Sequence, residues 1–154
     1  PQSLDDGKQA WLDAPEWQGL RRLVEDSFVV QDPFELFVAQ NFALDGLLYP
    51  LIYGGFVDDH VALQGGTAVA MLTSFMPEWH DESARWIDAV IKAAGAESDA
   101  NRALLRDWAI RGMDRAQAAL SPIARLALGE TGETVLSDAR VQLQARLAKT
   151  GVTA

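Results

Sequence analysis

Three features of the sequence predict an all-α fold. Apolar residues recur every three or four positions through successive segments, acid–proline–acid starts punctuate those segments, and no stretch alternates apolar with polar side chains as a half-buried strand does. The 154 residues, 49% hydrophobic and 23% charged, suffice for one domain with its own core.

Residues 1–10 are polar and aperiodic, and are expected to form a disordered or linker-like N-terminus ahead of a single helical domain at 11–151 and a tail at 152–154. Asp13, Pro15 and Glu16 supply a capping acid, a first-turn proline and an acid three residues after the cap, which predicts a helix running to about Phe28. Its stripe is Trp17, Leu20, Leu23, Val24 and Phe28, with Arg21, Arg22, Glu25 and Asp26 facing away. Asp32, Pro33 and Glu35 repeat the same start after a corner at Val29 and Val30.

From 34 to 57 the apolar residues Leu36, Phe37, Val38, Phe42, Leu44, Leu47, Leu48, Leu51, Ile52 and Phe56 cover nearly the whole circumference, which predicts a helix surrounded by others. Pro50 is expected to kink it, and Asp58, Asp59 and His60 to begin an exposed connection. Gly65, Gly66 and Thr67 then hand over to a helix at about 68–94, bent at Pro77. Its expected buried stripe is Leu72, Phe75, Met76, Trp79, Ser83, Trp86, Ile87, Val90, Ile91 and Ala94. Opposite lie Glu78, Asp81, Glu82, Arg85, Asp88 and Lys92, where Asp81–Arg85 and Asp88–Lys92 have ion-pair spacing.

Ser98 to Asn101 start the next helix, which carries Leu104, Leu105, Trp108, Ala109, Met113, Ala116, Ala119 and Leu120 inward. Ser121 and Pro122 are expected to reopen a short helix at 123–128, stopped by a left-handed cap at Gly129. The last helix, at about 133–149, buries Val135, Leu136, Ala139, Leu143 and Leu147, with Gly151 beyond it.

Composition excludes several functions. With no cysteine there is no disulfide, thiolate nucleophile or Cys-based metal site, which fits a reducing cytoplasm. The net charge of −9 arises from 22 acidic and 13 basic residues without a basic cluster, so no nucleic-acid partner is expected. Glu35, Gln40, Asn41, Asp45 and Pro50 interrupt the most apolar segment, which reads as a core helix, so no membrane partner is expected either. The start at Pro1 has no charged-then-apolar leader and suggests a fragment of something longer.

Helical di-iron proteins use two Glu-x-x-His pairs. Here His60 is preceded at that spacing by Val57 and His80 by Pro77, while Glu82 is followed by Arg85, a permanent cation with no lone pair for a metal. The remaining metal reading is carboxylates alone at Glu78, Asp81 and Glu82, on the solvated edge of their helix. His80 is expected half-buried and His60 solvated. Ser74, Ser83, Ser98, Ser121 and Ser137 adjoin no histidine in an activating arrangement. Gln40, Asn41 and Asp45 are expected to hydrogen-bond between helices, and the glycine pairs at 54–55 and 65–66 lack phosphate-loop spacing. Trp11, Trp17, Trp79, Trp86 and Trp108 read as core or interface anchors. The expected catalytic, cofactor-binding and metal-ligating residues in this chain are therefore none.

The runs FELFVAQNFALDGLLYPLIYGGFV at 34–57, GGTAVAMLTSFMPEWHDESARWIDAVIKAAGAES at 65–98 and LSPIARLALG at 120–129 resemble the small, or beta, hydroxylase subunit of bacterial multicomponent di-iron monooxygenases, of the phenol hydroxylase and propane monooxygenase types. That resemblance implies a ferritin-like helical bundle without a metal site, corresponding to the C-terminal portion of a longer subunit. Asp81-Glu82-x-x-Arg85-Trp86 resembles the large subunit's Asp-Glu-x-x-His ligand segment with the histidine gone. The implied role is a non-catalytic scaffold in a symmetric hetero-oligomer with a large, di-iron alpha subunit, served by a coupling protein and a reductase. NADH-dependent hydroxylation of phenol, propane or a similar small hydrocarbon would take place in that large subunit. Other readings of the chain are a stand-alone helical adaptor or regulatory domain, or a small carboxylate metalloprotein.

Overall fold

Asp32 accepts hydrogen bonds from the backbone N–H groups of Phe34 (2.8 Å) and Glu35 (3.3 Å), so the second predicted start forms as read. The computed structural model describes residues 2–152. Its helices are α1 (Gln2–Asp13), α2 (Pro15–Ser27), α3 (Pro33–Gln64), α4 (Thr67–Thr73), α5 (Phe75–Glu97), α6 (Asp99–Leu128) and α7 (Glu130–Lys149), with no strand among the described residues.

Residues 2–13 are helical, contrary to the irregular segment expected at 1–10, of which Pro1 lies outside the described residues. Their partner is α2: Arg21 Nη1 and Gln18 Nε2 donate to the Leu12 carbonyl at 2.9 and 3.1 Å, and the Trp11 and Trp17 rings lie 6.2 Å apart. These side chains satisfy carbonyls that a helix end leaves orphaned. Asp13 ends α1 instead of capping α2, whose N-cap is Ala14 without a side-chain bond.

Helix α3 runs further than its sequence suggested. It widens into π-type turns at Val38–Leu44 and Pro50–Val61, and Pro50, which has no N–H to give the preceding turn, opens the second of these. Asp58, Asp59 and His60 remain helical, and the chain turns only at Gly65, whose φ of 93° suits glycine. Val38, Phe42, Ala43, Leu47 and Leu51 are buried against α5, α6 and α7, whereas Leu48, Ile52 and Phe56 are only half-buried. The helix is thus covered on one side and not surrounded. By length and composition, at a mean hydropathy of 1.2, α3 could cross a membrane. Here its apolar side is the centre of the core.

The expected helix at 68–94 is two helices broken at Ser74. Pro77 explains the position, because its ring excludes a helical carbonyl four residues earlier, at Thr73, the last residue of α4. Pro122 has the opposite outcome: α6 passes through it without restarting. Leu120, Ile123 and Ala124 are buried around it, and that packing outweighs the roughly 3 kcal/mol propensity cost of an interior proline. Ser98 caps α6 by accepting from the Asn101 N–H at 3.0 Å. Gly129 separates α6 from α7 at φ 61° and ψ −138°, a positive φ but not the left-handed helical cap expected.

Helix α6 is the spine, touching α2, α3, α5 and α7. A Cβ on Gly112 would lie 2.9 Å from that of Ala43, and one on Gly132 would overlap the Ala124 carbonyl, so glycine sets the close α3–α6 and α6–α7 approaches. Val152, expected in a tail, is 1% exposed and packs in the core. Residues 153 and 154 of that tail lie outside the described residues.

Candidate functional site: the open face of α3 and α5

The stripe read as the buried side of α5 divides in two. Ile87 and Ile91 are buried at 4% and 1%, but Phe75, Trp79 and Trp86 are exposed at 60%, 57% and 60%, and Leu72 in α4 also faces out. The true core line of α5 includes Ala84 and Gly95, a narrower stripe than aromatic periodicity suggested. The exposed aromatics are tied to α3 at two levels. Trp86 meets Phe37 edge-on at 5.5 Å, and Tyr49 lies 6.2 Å from Trp79 and stacks on His80 at 4.6 Å and 15°.

His80 is half-buried as expected, its contact being this stack. Burial lowers its pKa, and the Arg146 cation adds to that, against a weaker opposing pull from Asp81. His60 is also half-buried, not solvated in a loop: it stacks on Phe56 at 6.0 Å, with Gln64 Nε2 3.1 Å from its Nε2.

The charges on this face pair differently from the four-residue rule. Arg85 bonds Glu82 at 2.7 Å and the Asp81 carbonyl at 3.3 Å, and not the Asp81 carboxylate. Asp88 ignores Lys92 and takes a two-pronged bond from Arg146 of α7, at 3.1 Å from Nε and 2.8 Å from Nη2. The same guanidinium lies 5.4 Å from the Phe42 ring centroid and 3.4 Å from the Ala84 carbonyl. This junction of α3, α5 and α7 was invisible in the sequence, since its partners are distant in the chain.

Gln40, Asn41 and Asp45 form no side-chain hydrogen bond among the described residues, so the expected inter-helix bonds are absent. Gln40 is exposed, and the other two are half-buried. Asp45 and Gln40 border a cleft of about 280 Å³ against α2, walled by Leu23, Phe28 and Leu44. Burial pushes the Asp45 carboxyl up to about 6. Burial first, then the Asp45 charge and Tyr53, raise the Tyr49 phenol.

Of the tryptophans, none is fully buried, which favours the interface-anchor reading over the core one. Among the serines, Ser74 bonds the Met71 carbonyl, Ser98 caps α6 and Ser121 bonds Glu133.

Comparison with known proteins places this geometry. The sequence pattern of the methane/phenol/alkene hydroxylase family matches residues 1–98. The chain belongs to that family. It is 50% identical over 151 residues to the phenol 2-monooxygenase oxygenase component DmpL of Pseudomonas sp. (strain CF600), covering 98% of this chain and 44% of that protein. Over 126 residues it is 44% identical to the corresponding component MhpL of Acinetobacter pittii (strain PHEA-2), covering 82% of this chain and 38% of the relative. The crystal structure of xenon-pressurized phenol hydroxylase from Pseudomonas sp. OX1 superposes with a TM-score of 0.88 at 43% identity, over 97% of this chain and 44% of that one. The chain therefore spans less than half the length of the relatives it matches, and its helices have the ferritin-like arrangement of the hydroxylases.

The hydroxylase family is a di-iron enzyme family, which invites a fit test on α5. The residue three after Glu82 is Arg85, a cation paired to that same glutamate, and Glu78, Asp81 and Glu82 point to solvent. No group of three His, Asp or Glu side chains converges among the described residues. This donor set does not fit a di-iron centre.

Proposed function

We propose that this chain is a non-catalytic structural component of a multicomponent di-iron monooxygenase hydroxylase, cytoplasmic, with oxygen chemistry residing in a separate large subunit. The hydroxylation served would be that of phenol, propane or a similar small hydrocarbon at the expense of NADH, with a coupling protein and a reductase completing the system. The observation that carries this reading is Arg85. A guanidinium bonded to Glu82 at 2.7 Å stands where a ligand histidine would be needed, so α5 has the frame of a metal-binding helix and a donor set that repels a metal cation. Kinship to phenol 2-monooxygenase oxygenase components supports the assembly. The charge of −9 without a basic cluster speaks against nucleic acid as partner.

The test is co-expression with the large di-iron subunit of a phenol hydroxylase. Capture of that subunit, with iron recovered only in it, is expected. Stoichiometric tightly bound iron in this chain alone would overturn the non-catalytic reading. Arg85→His restores the Glu-x-x-His spacing, and the variant is expected to remain iron-free because no further ligands converge on it.

A further inference from the structure

The cleft between α2 and α3 combines apolar walls with an uncommitted carboxylate. It encloses about 280 Å³ between Leu23, Val24, Phe28, Leu36 and Leu44, close to the lower limit of small-molecule sites, about 300 Å³. Of the polar side chains that border it, Ser27 donates to the Val24 carbonyl at 2.6 Å and Arg115 is paired with Asp26. Gln40 and Asp45 are left without a side-chain hydrogen bond among the described residues. No fully buried side-chain oxygen there lacks a partner, so the Asp45 carboxylate keeps contact with open space, and the cleft is the space it borders.

The widened helix explains why these two residues share the cleft. In an α-helix, side chains five positions apart project about 140° from one another. Over the π-type turns at Val38–Leu44 the Asp45 N–H bonds the Gln40 carbonyl instead, which closes a five-residue turn and brings the two side chains to one side of α3. Such widened turns recur at functional sites, and this one sets an amide beside a carboxylate at a single opening.

We propose that this cleft binds a small primary amine with an apolar body, its ammonium held by Asp45, with the Gln40 amide oxygen as a further acceptor. Charge selects the head group. The carboxylate has no counter-ion of its own, burial disfavours its charged form, and an ammonium in the cleft offsets that cost. A neutral donor supplies a hydrogen bond but no charge. A metal cation needs more oxygen ligands than one carboxylate and one amide, and no group of three acids or histidines converges among the described residues. The walls select the body, because leucine, valine and phenylalanine side chains favour an apolar group about the size of one ring. The site is independent of any role as a scaffold.

Benzylammonium chloride titrated into the full chain at neutral pH tests this, with calorimetry for affinity and amide NMR for position. One saturable equivalent is expected, with shifts centred on Phe28, Gln40 and Asp45. Asp45→Asn should weaken binding by about tenfold or more, and so should Gln40→Lys, whose ammonium would take the carboxylate for itself. Position 40 is exposed and asparagine matches aspartate in shape, and circular dichroism checks that both variants keep the helical fold. Benzyl alcohol, the same body without the charge, should bind about tenfold more weakly or worse. Butylamine, which reproduces a lysine side chain, should also bind more weakly, since it leaves part of the walls uncovered. No saturable binding, shifts away from the cleft, an affinity unchanged in Asp45→Asn, or benzyl alcohol equal to the amine would each overturn the proposal. Butylamine binding as tightly as benzylamine would do so too, by giving the site to a lysine of another chain.

Discussion

Asp45→Asn is expected to stabilise the chain at neutral pH. The carboxylate sits half-buried beside Leu44 and the α2 cleft with no hydrogen-bond donor among the described residues, and its pKa rises from 3.8 to about 6 through burial alone. The native state therefore holds the proton more tightly than the unfolded chain does. Stability contributed by that proton is complete below 3.8 and is lost as pH rises to about 6, after which the full cost of the buried charge persists. At full strength the shift is worth about 3 kcal/mol, and the solvent contact the carboxyl retains reduces this to roughly 1–2 kcal/mol. Urea unfolding followed by circular dichroism at pH 4.5, 6 and 7.5 measures it. The parent should lose stability from this group between the first two conditions, and Asp45→Asn should remove that loss and exceed the parent by roughly 1–2 kcal/mol at pH 7.5. Equal or lower stability of the variant at pH 7.5 would refute the argument, by showing that the carboxylate is solvated or bonded when ionised.

His80 should act in the opposite sense. Its folded pKa is lowered, so its contribution is lost as pH falls below about 6.5, and His80→Phe, which keeps the stack on Tyr49, should flatten that loss in the same unfolding series. Trp86→Ala should cost only about 1–2 kcal/mol in thermal unfolding, because the ring is 60% exposed and forfeits mainly its edge contact with Phe37. Asp88→Ala and Arg146→Met in a double-mutant cycle should show a coupling of about 1–2 kcal/mol, since the pair is two-pronged and largely shielded; a coupling near zero would class it with surface pairs. Gly132→Ala should destabilise by about 1–3 kcal/mol, as the added carbon meets the Ala124 backbone, which cannot swing aside as a side chain can.

Local chemistry was legible where one residue and its near neighbours decide the outcome. The Asp32 and Ser98 caps form at the expected positions, because capping involves donors only two or three residues away. Prolines were read less well, since the same residue ends a helix at Pro77 and passes through one at Pro122. The difference is the buried packing around Pro122, which belongs to the tertiary structure. Ion pairs failed for a similar reason: Asp88 has a local partner available in Lys92, and Arg146 wins by offering two donors from a neighbouring helix in a partly shielded setting. The helical N-terminus escaped notice because its support comes from Gln18 and Arg21 of α2, outside the segment that was read as irregular.

The misjudged aromatics carry a different lesson. Periodicity reports that Phe75, Trp79, Trp86 and Ile87 share an apolar sector of α5, and it does so correctly; it cannot report which part of that sector this chain itself covers. Ile87 and Ile91 belong to the buried core, while Trp79 and Trp86 stay more than half exposed and reach α3 through ring contacts with Tyr49 and Phe37. The half-covered α3 shows the same division, with Phe42 and Leu47 inside and Leu48 and Ile52 at the border. Two neighbouring helices that are each apolar beyond their covered side, and that meet along the uncovered one, have a shared cause more economical than two separate accidents.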